Sequence, residues 1–277
     1  MQFKLGCELS YTLTAPSTFI FNIGVAQNTR QQVLDETLSI TPTIEMEEYV
    51  VPETATRFLR VNPAAGDLHI RYNALVELSH VWADPLDIPE TPTTTLPLQV
   101  VPYLFPSRYC QSDRLMNLAQ AEFGDLLPGY SRVTAICNWI YDNVAYLSGS
   151  TNQHTSAYDT AVERAGVCRD FAHLAIAFCR ALGTPARFVS GYAYQLNPPD
   201  FHAFFEAYLG DRWYLFDATR LVPMAGLVRI GTGKDAADVS FATIFGTIEM
   251  TKMQVFIDRL QPPETSEAPS DQAVSTA

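Results

Sequence analysis

AGVCRDFAHLAIAFCRALG, residues 165–183, decides how the chain is read. Phe171, Leu174, Ala175, Phe178 and Leu182 recur at helical spacing, and Ala172, Ile176 and Cys179 widen the apolar stripe until little polar surface is left. A helix apolar on most sides is a central, buried one, and Gly183-Thr184-Pro185 stops it. Cys168 falls in its first turn, just after Gly166. Unpaired N–H groups and the helix dipole favour an anion there, which increases the thiolate fraction of a thiol. On position alone Cys168 is either small buried filler, as free cysteines usually are, or a nucleophile. Cys179, deep in the stripe, is packing.

A nucleophilic cysteine needs a base, and the base needs an orienting partner. FHAFFEAYLGDRWYLFDATR, residues 201–220, offers both. Gly210-Asp211 is the expected centre of a tight turn between two aromatic-rich strands. A hairpin symmetric about that pair sets Tyr208 opposite Trp213, Glu206 opposite Leu215 and Phe204 opposite Asp217. His202 and Phe204 share a face, so His202 and Asp217 become diagonal neighbours, roughly 7–8 Å apart at the backbone. A carboxylate can then hold one imidazole nitrogen while the other points outward. Taken singly, His202 could be a satisfied sheet histidine and Asp217 a strand-end cap.

Around these two stretches the chain divides. Phe3, Leu5, Cys7, Leu9, Tyr11 and Leu13 alternate strictly, as do Phe19–Val25 and Leu68–Leu78, with shorter strand patterns at 32–39, 44–51 and 57–61. Strands so close together, without helical spacing between them, predict an antiparallel sandwich over residues 1–84. Pro85 to Pro106 holds six prolines and reads as a linker, residues 85–109. Helices follow, near Ser112–Phe123 and from Tyr130, then a polar loop at 148–155. Beyond the central helix lie strands at 186–194, 202–209 and 212–218. A glycine-rich loop, GLVRIGTGKDAADV, and a last strand near Thr247–Ile257 complete the pattern. The tail PPETSEAPSDQAVSTA has no apolar face and reads as disordered, giving a tail of 261–277.

The net charge is -12, which argues against nonspecific nucleic-acid binding. No run approaches the roughly 18 apolar residues of a membrane span, and no signal peptide is recognisable. Five widely spaced cysteines suggest neither a disulfide framework nor a metal knuckle. The expectation is a soluble cytoplasmic protein with reduced thiols, no metal and no cofactor. His173 and Asp170, one turn apart, invite a metal reading, but structural hydrogen bonding suits them better. GTGKDAADV lacks phosphate-loop spacing and reads as a surface loop at the rim of the site. Phe201, Phe204, Phe205, Tyr192 and Tyr194 are divided between core and cleft lining.

GVCRDFAHLAIAFCRALGTPARFVSGY followed by HAFFEAYLGDRWYLFDAT resembles the transglutaminase-like superfamily over roughly residues 110–250, and the preceding β region resembles the N-terminal domain of its bacterial members. The resemblance implies an α+β fold: a papain-like core, residues 110–260, behind an N-terminal antiparallel β-sandwich. It also implies a Cys168–His202–Asp217 triad of nucleophile, base and orienter. Where the family usually reads His-Ala-Trp and Asp-Pro-Thr, this chain has His202-Ala203-Phe204 and Asp217-Ala218-Thr219, changes that spare the reacting atoms. An oxyanion hole needs a second donor besides the Cys168 N–H. The resemblance points upstream of the helix, to Tyr146, with Asn152, Gln153 and His154 as further candidates.

The expected activity is hydrolysis of a peptide or protein amide through a thioester, as a cysteine protease or amidase. Transfer to an amine would make it a transglutaminase, and attack on a glutamine side chain a deamidase. A catalytically silent binding module keeps the fold without the chemistry. The same residue order occurs in arylamine N-acetyltransferases, but Ala165-Gly166-Val167 does not match their lead-in to the cysteine.

Overall fold

The computed structural model describes residues 1–260 and 272–277. It is a mixed α and β structure, mostly β, with four helices. In chain order β1 (Gln2–Leu13), β2 (Thr18–Phe21), β3 (Gln31–Thr41), β4 (Met46–Val50), β5 (Arg57–Val61), β6 (Gly66–Leu78) and β7 (Val81–Ala83) come first. Then follow α1 (Ser112–Phe123), α2 (Tyr130–Asn143), β8 (Ala145–Tyr146), α3 (Ala157–Glu163), β9 (Ala165–Gly166) and α4 (Cys168–Ala181). The remaining strands are β10 (Ala186–Ala193), β11 (Phe201–Leu209), β12 (Arg212–Phe216), β13 (Leu227–Gly233), β14 (Ala242–Phe245), β15 (Ile248–Arg259) and β16 (Ala273–Ser275).

The strict alternation of β1 and β6 has a direct cause. Leu5 pairs with Ala74, Cys7 with Tyr72 and Leu9 with Ile70, and all six are buried. Each large apolar side chain contributes about 1.5–3 kcal/mol on burial, and a one-residue slip would turn every one of them to water. This sheet runs β15-β1-β6-β3, and a second runs β14-β2-β5-β4. Phe3, Tyr11, Phe19, Phe21 and Leu68 join the two in one core.

Two of these strands come from the far side of the sequence. β15, the strand expected near 247–257, pairs with β1 along its whole length, from Phe3↔Arg259 to Leu13↔Ile248, and β14 pairs with β2. The core of the N-terminal sheets also takes in Tyr192, Val228 and Ile230. Gln31 ties the two regions together, its amide donating to Ala26 O (2.6 Å) and Arg229 O (2.8 Å) while Arg229 N donates to its Oε1 (2.8 Å).

The third sheet, β12-β11-β10-β13, carries α4 on one face. Phe171, Leu174, Phe178 and Cys179 pack there with Phe205, Ala207 and Phe216. The glycine-rich stretch read as a loop is a strand over 227–233, antiparallel to β10 and buried throughout. Its continuation is mixed: Lys234, Ala237 and Asp238 are exposed, while Asp235 and Val239 are buried. The tail expectation also needs correcting for residues 272–277. β16 pairs with β7, and Val274 packs on the other face of the third sheet with Val189, Phe204 and Leu215. The rest of that expected tail, 261–271, lies outside the described residues. The proline-rich segment is fastened down, with Pro89 bridging to Gly129 and Glu90 to Leu209.

Candidate active site

The site is assembled where α4 begins and the hairpin β11–β12 ends. Cys168 is the first residue of α4, and Val167 is its N-cap. Val167 has no polar side chain to cap the helix, so the neighbourhood is braced from within. Val167 N donates to Asp170 Oδ2 (2.9 Å), and Arg169 Nη2 donates to Asp170 Oδ1 (2.9 Å) and to Asn152 O (2.8 Å). Asp170 is fully buried. A Cβ on Gly166 would stand 2.8 Å from Asp170 Cβ, so this glycine gives the buried carboxylate its room. Of the five free cysteines only Cys168 is partly exposed. Burial pushes Cys7, Cys110 and Cys179 up to about 12, and raises Cys137 well above its ordinary value.

The hairpin follows the predicted register. Tyr208 pairs with Trp213 and Glu206 with Leu215, and Gly210 and Asp211 both adopt positive φ, 51° and 64°, as a tight two-residue turn requires. Behind it, buried Glu206 is salt-bridged to both Arg187 and Arg229, tying β10, β11 and β13 together by side chains as well as by ladders. At the open end, His202 Nε2 donates to Asp217 Oδ2 (2.7 Å). The other carboxylate oxygen, Asp217 Oδ1, accepts from Thr219 N (2.9 Å) and Thr219 Oγ1 (2.7 Å). Thr219 was not singled out from the sequence. Its signal is the Asp-x-Thr spacing, in which a carboxylate turns back on the chain two residues ahead.

His202 is thus held by Nε2, and its Nδ1 is buried without a hydrogen-bond partner of good geometry. Burial opposes a charged imidazole. The Asp217 carboxylate, aided by the Cys168 thiol, outweighs that and pushes His202 up to about 10. Cys168, His202 and Asp217 are therefore brought together, with His202 in the middle.

Tyr146 joins them through a short parallel pairing, Ala145 with Ala165 and Tyr146 with Gly166. Its ring packs 5.7 Å from that of Phe171. Burial pushes the hydroxyl up to about 12, with the charge of Cys168 next in weight, while the Cys168 N–H acts in the opposite direction. The phenol accordingly stays protonated at neutral pH beside the Cys168 N–H. The other oxyanion candidates have structural partners. Asn152 holds Arg169 through its carbonyl and accepts from His154 N (2.7 Å), and Gln153 O accepts from Tyr109 Oη (2.7 Å).

His173 and Asp170 do not meet as a pair. His173 is stacked on Tyr109 at 5.1 Å, its Nε2 accepts from Ala236 N (3.1 Å), and burial pushes it down to about 3. Among the described residues no group of three or more His, Cys, Asp or Glu is placed to hold a metal ion, and no helix is long and apolar enough to cross a membrane.

The chain is similar to known proteins along nearly all its length. A model of the transglutaminase-like superfamily matches residues 117–218, and a model of the bacterial transglutaminase N-terminal domain matches residues 1–91. The crystal structure of a proposed cysteine protease from Cytophaga hutchinsonii superposes with a TM-score of 0.95 at 48% identity, covering 99% of this chain and 97% of that one. The chain belongs to the transglutaminase-like superfamily. More distant relatives include an uncharacterized protein of Mycobacterium leprae, 32% identical over 117 residues, 39% of this chain and 42% of that protein. Another, from Mycobacterium bovis, is 33% identical over 144 residues, 46% of each. The chain spans less than half the length of these curated relatives.

Proposed function

We propose that this transglutaminase-like protein is a cysteine-dependent hydrolase that cleaves amide bonds of a peptide or protein through a thioester. The observation that carries this reading is the His202 imidazole, bonded to Asp217 through one nitrogen with Cys168 beside it. In the proposed mechanism His202, pushed up to about 10, already carries the proton as imidazolium, and the Cys168 sulfur attacks the carbonyl carbon as the thiolate paired with it. The oxyanion is met by the Cys168 N–H and the Tyr146 O–H. The C–N bond breaks as the imidazolium protonates the leaving amine, and the acyl group stays on sulfur. Water then adds, giving a proton to His202, and collapse releases the acid and restores the thiolate beside the imidazolium. Asp217, steadied by Thr219, keeps the imidazole turned toward sulfur throughout.

In this reading α1–α4 and the third sheet form a papain-like core, and the two N-terminal sheets form a β-sandwich that includes β14 and β15. With five free thiols the proposal extends to a reducing compartment, the cytoplasm. The test offers the protein a glutamine-containing peptide with and without a primary amine. Backbone cleavage is the expected product. Amine incorporation as the dominant outcome would make it a transglutaminase, and ammonia release from an intact backbone a deamidase. No turnover, with Cys168 alkylated no faster than a peptide cysteine, would leave a silent binding module.

A further inference from the structure

The turn that leaves β12 carries Asp217, and a side chain from that turn reaches across to α2. Asp217 Oδ1 accepts from Thr219 Oγ1 (2.7 Å), and that hydroxyl in turn accepts from Leu221 N (3.3 Å). Arg220 lies between these two residues with φ at 54°, a left-handed conformation that costs a long side chain energy and needs compensation from its surroundings. The compensation comes from α2. Arg220 Nη2 donates to Asn138 Oδ1 (2.5 Å), and its guanidinium sits over the Tyr141 ring at 4.2 Å. Asn138 and Tyr141 are both exposed and three residues apart, a spacing that puts them on one face of the helix.

α2 runs directly into the other wall of the site. Three residues beyond its end at Asn143 comes Tyr146, and its strand β8 pairs with β9 just ahead of Cys168. One arginine therefore joins the turn that holds Asp217 to the helix that leads into Tyr146.

We propose that Arg220 is a positioning residue, a latch that fixes the Asp217 turn against α2 and so holds the His202 and Tyr146 sides of the site in place; the inference rests on Cys168 being the nucleophile. Arg220 touches no reacting atom. Its work is to keep Asp217 in the orientation in which Oδ2 meets His202 Nε2 (2.7 Å) while Oδ1 stays on Thr219. A carboxylate that drifts away from the imidazole stabilises its charged form less. Loss of the latch therefore lowers the pH at which His202 gives up its proton, and slows the chemical step without weakening substrate binding.

The test separates side chain from backbone at one position. Cys168 of the full chain is alkylated with iodoacetamide across pH, which needs no substrate and is selective because the other four cysteines are buried. In wild type the upper inflection is set by His202 at about 10, an ionisation governed by Asp217 and Cys168. Arg220→Ala and Asn138→Ala are each expected to move it down by about one pH unit. In turnover of a peptide amide, Arg220→Ala is expected to lower kcat about tenfold with KM unchanged, and adding Asn138→Ala to cost nothing further. Arg220→Lys keeps a cationic donor over Tyr141 and is expected to stay within about threefold of wild type. Arg220→Gly relieves the left-handed backbone but removes the latch, so it is expected to match Arg220→Ala. Wild-type behaviour in Arg220→Gly, or an unshifted inflection in Arg220→Ala with Cys168 still fast, overturns the latch and leaves the nucleophile standing. A wild-type Cys168 alkylated no faster than a peptide cysteine overturns the nucleophile and this inference together.

Discussion

Cys168 and Cys179 lie on one helix, about three turns apart, and the helix treats them in opposite ways. At Cys179 the neighbours are Phe178 and Ala175 in a closed core, and burial pushes the thiol up to about 12. At Cys168 the chain stops being core. The side chain is partly exposed, the helix cap is supplied by a buried carboxylate, and an imidazole and a phenol converge on it. The residue type is the same in both places, so what a cysteine can do here is set by which backbone groups are unsatisfied and which charges are close.

The sharpest way to break this contrast is to remove each sulfur in turn. Cys168→Ala is expected to lower amide turnover by about a thousandfold or more with the fold intact. Cys179→Ala should leave turnover alone and cost roughly 1–2 kcal/mol of stability, read by denaturant melts. If Cys179→Ala were the inactive one, the assignment would fall. Next in size is Asp217→Asn, expected to reduce kcat about 10²–10⁴-fold.

The same variant tests the ionisation of His202. Its ordinary value is 6.5 and its folded value about 10, so protonation favours the folded state. The stability this contributes is full below about pH 6.5 and is lost as pH rises through 10. Wild type should therefore exceed Asp217→Asn in stability by most at low pH and converge with it above 10. A gap that widens with pH would contradict the His202–Asp217 pair.

Smaller again, Tyr146→Phe should lower kcat roughly 10–100-fold with KM little changed. An effect confined to KM would mean that Tyr146 only contacts substrate. Smallest is Gly166→Ala, where the added methyl meets Asp170 Cβ at 2.8 Å. About 1–3 kcal/mol of destabilisation is expected, together with slower alkylation of Cys168 as the braced turn loosens. Unaltered stability would show that Asp170 can step aside.

What the sequence made legible was local. The hairpin 201–217 could be read because a Gly-Asp turn fixes register and an alternating pattern fixes faces, and the two together bring His202 to Asp217. α4 could be read because its apolar spacing runs unbroken to a glycine stop. β13 could not, since Gly231 and Gly233 look like loop residues until crowding is seen. A Cβ on Gly231 would stand 2.7 Å from Asn22 Oδ1, a contact made across the interface with the N-terminal sheets. The pattern near 247–257 announced a strand without naming its partner, because period two carries no information about pairing at long range, and β14, four residues long, was not read at all. β16 escaped because three residues are too few for any pattern, and its burial depends wholly on β7 and the sheet beneath. Tyr146 was within reach only through the resemblance, since β8 is two residues long.

The pairing of β1 with β15 has a consequence for how the protein is made. The ribosome delivers residue 13 long before residue 248, and at about 5–20 residues per second the gap amounts to tens of seconds. Throughout that interval the outer edge of β1, with its row of unpaired backbone N–H and C=O groups, has no strand to cover it. Open edges of this kind invite pairing with other chains. The nascent chain therefore passes through a window in which the β1 edge is open to other chains, which the finished sheet closes by adding β15.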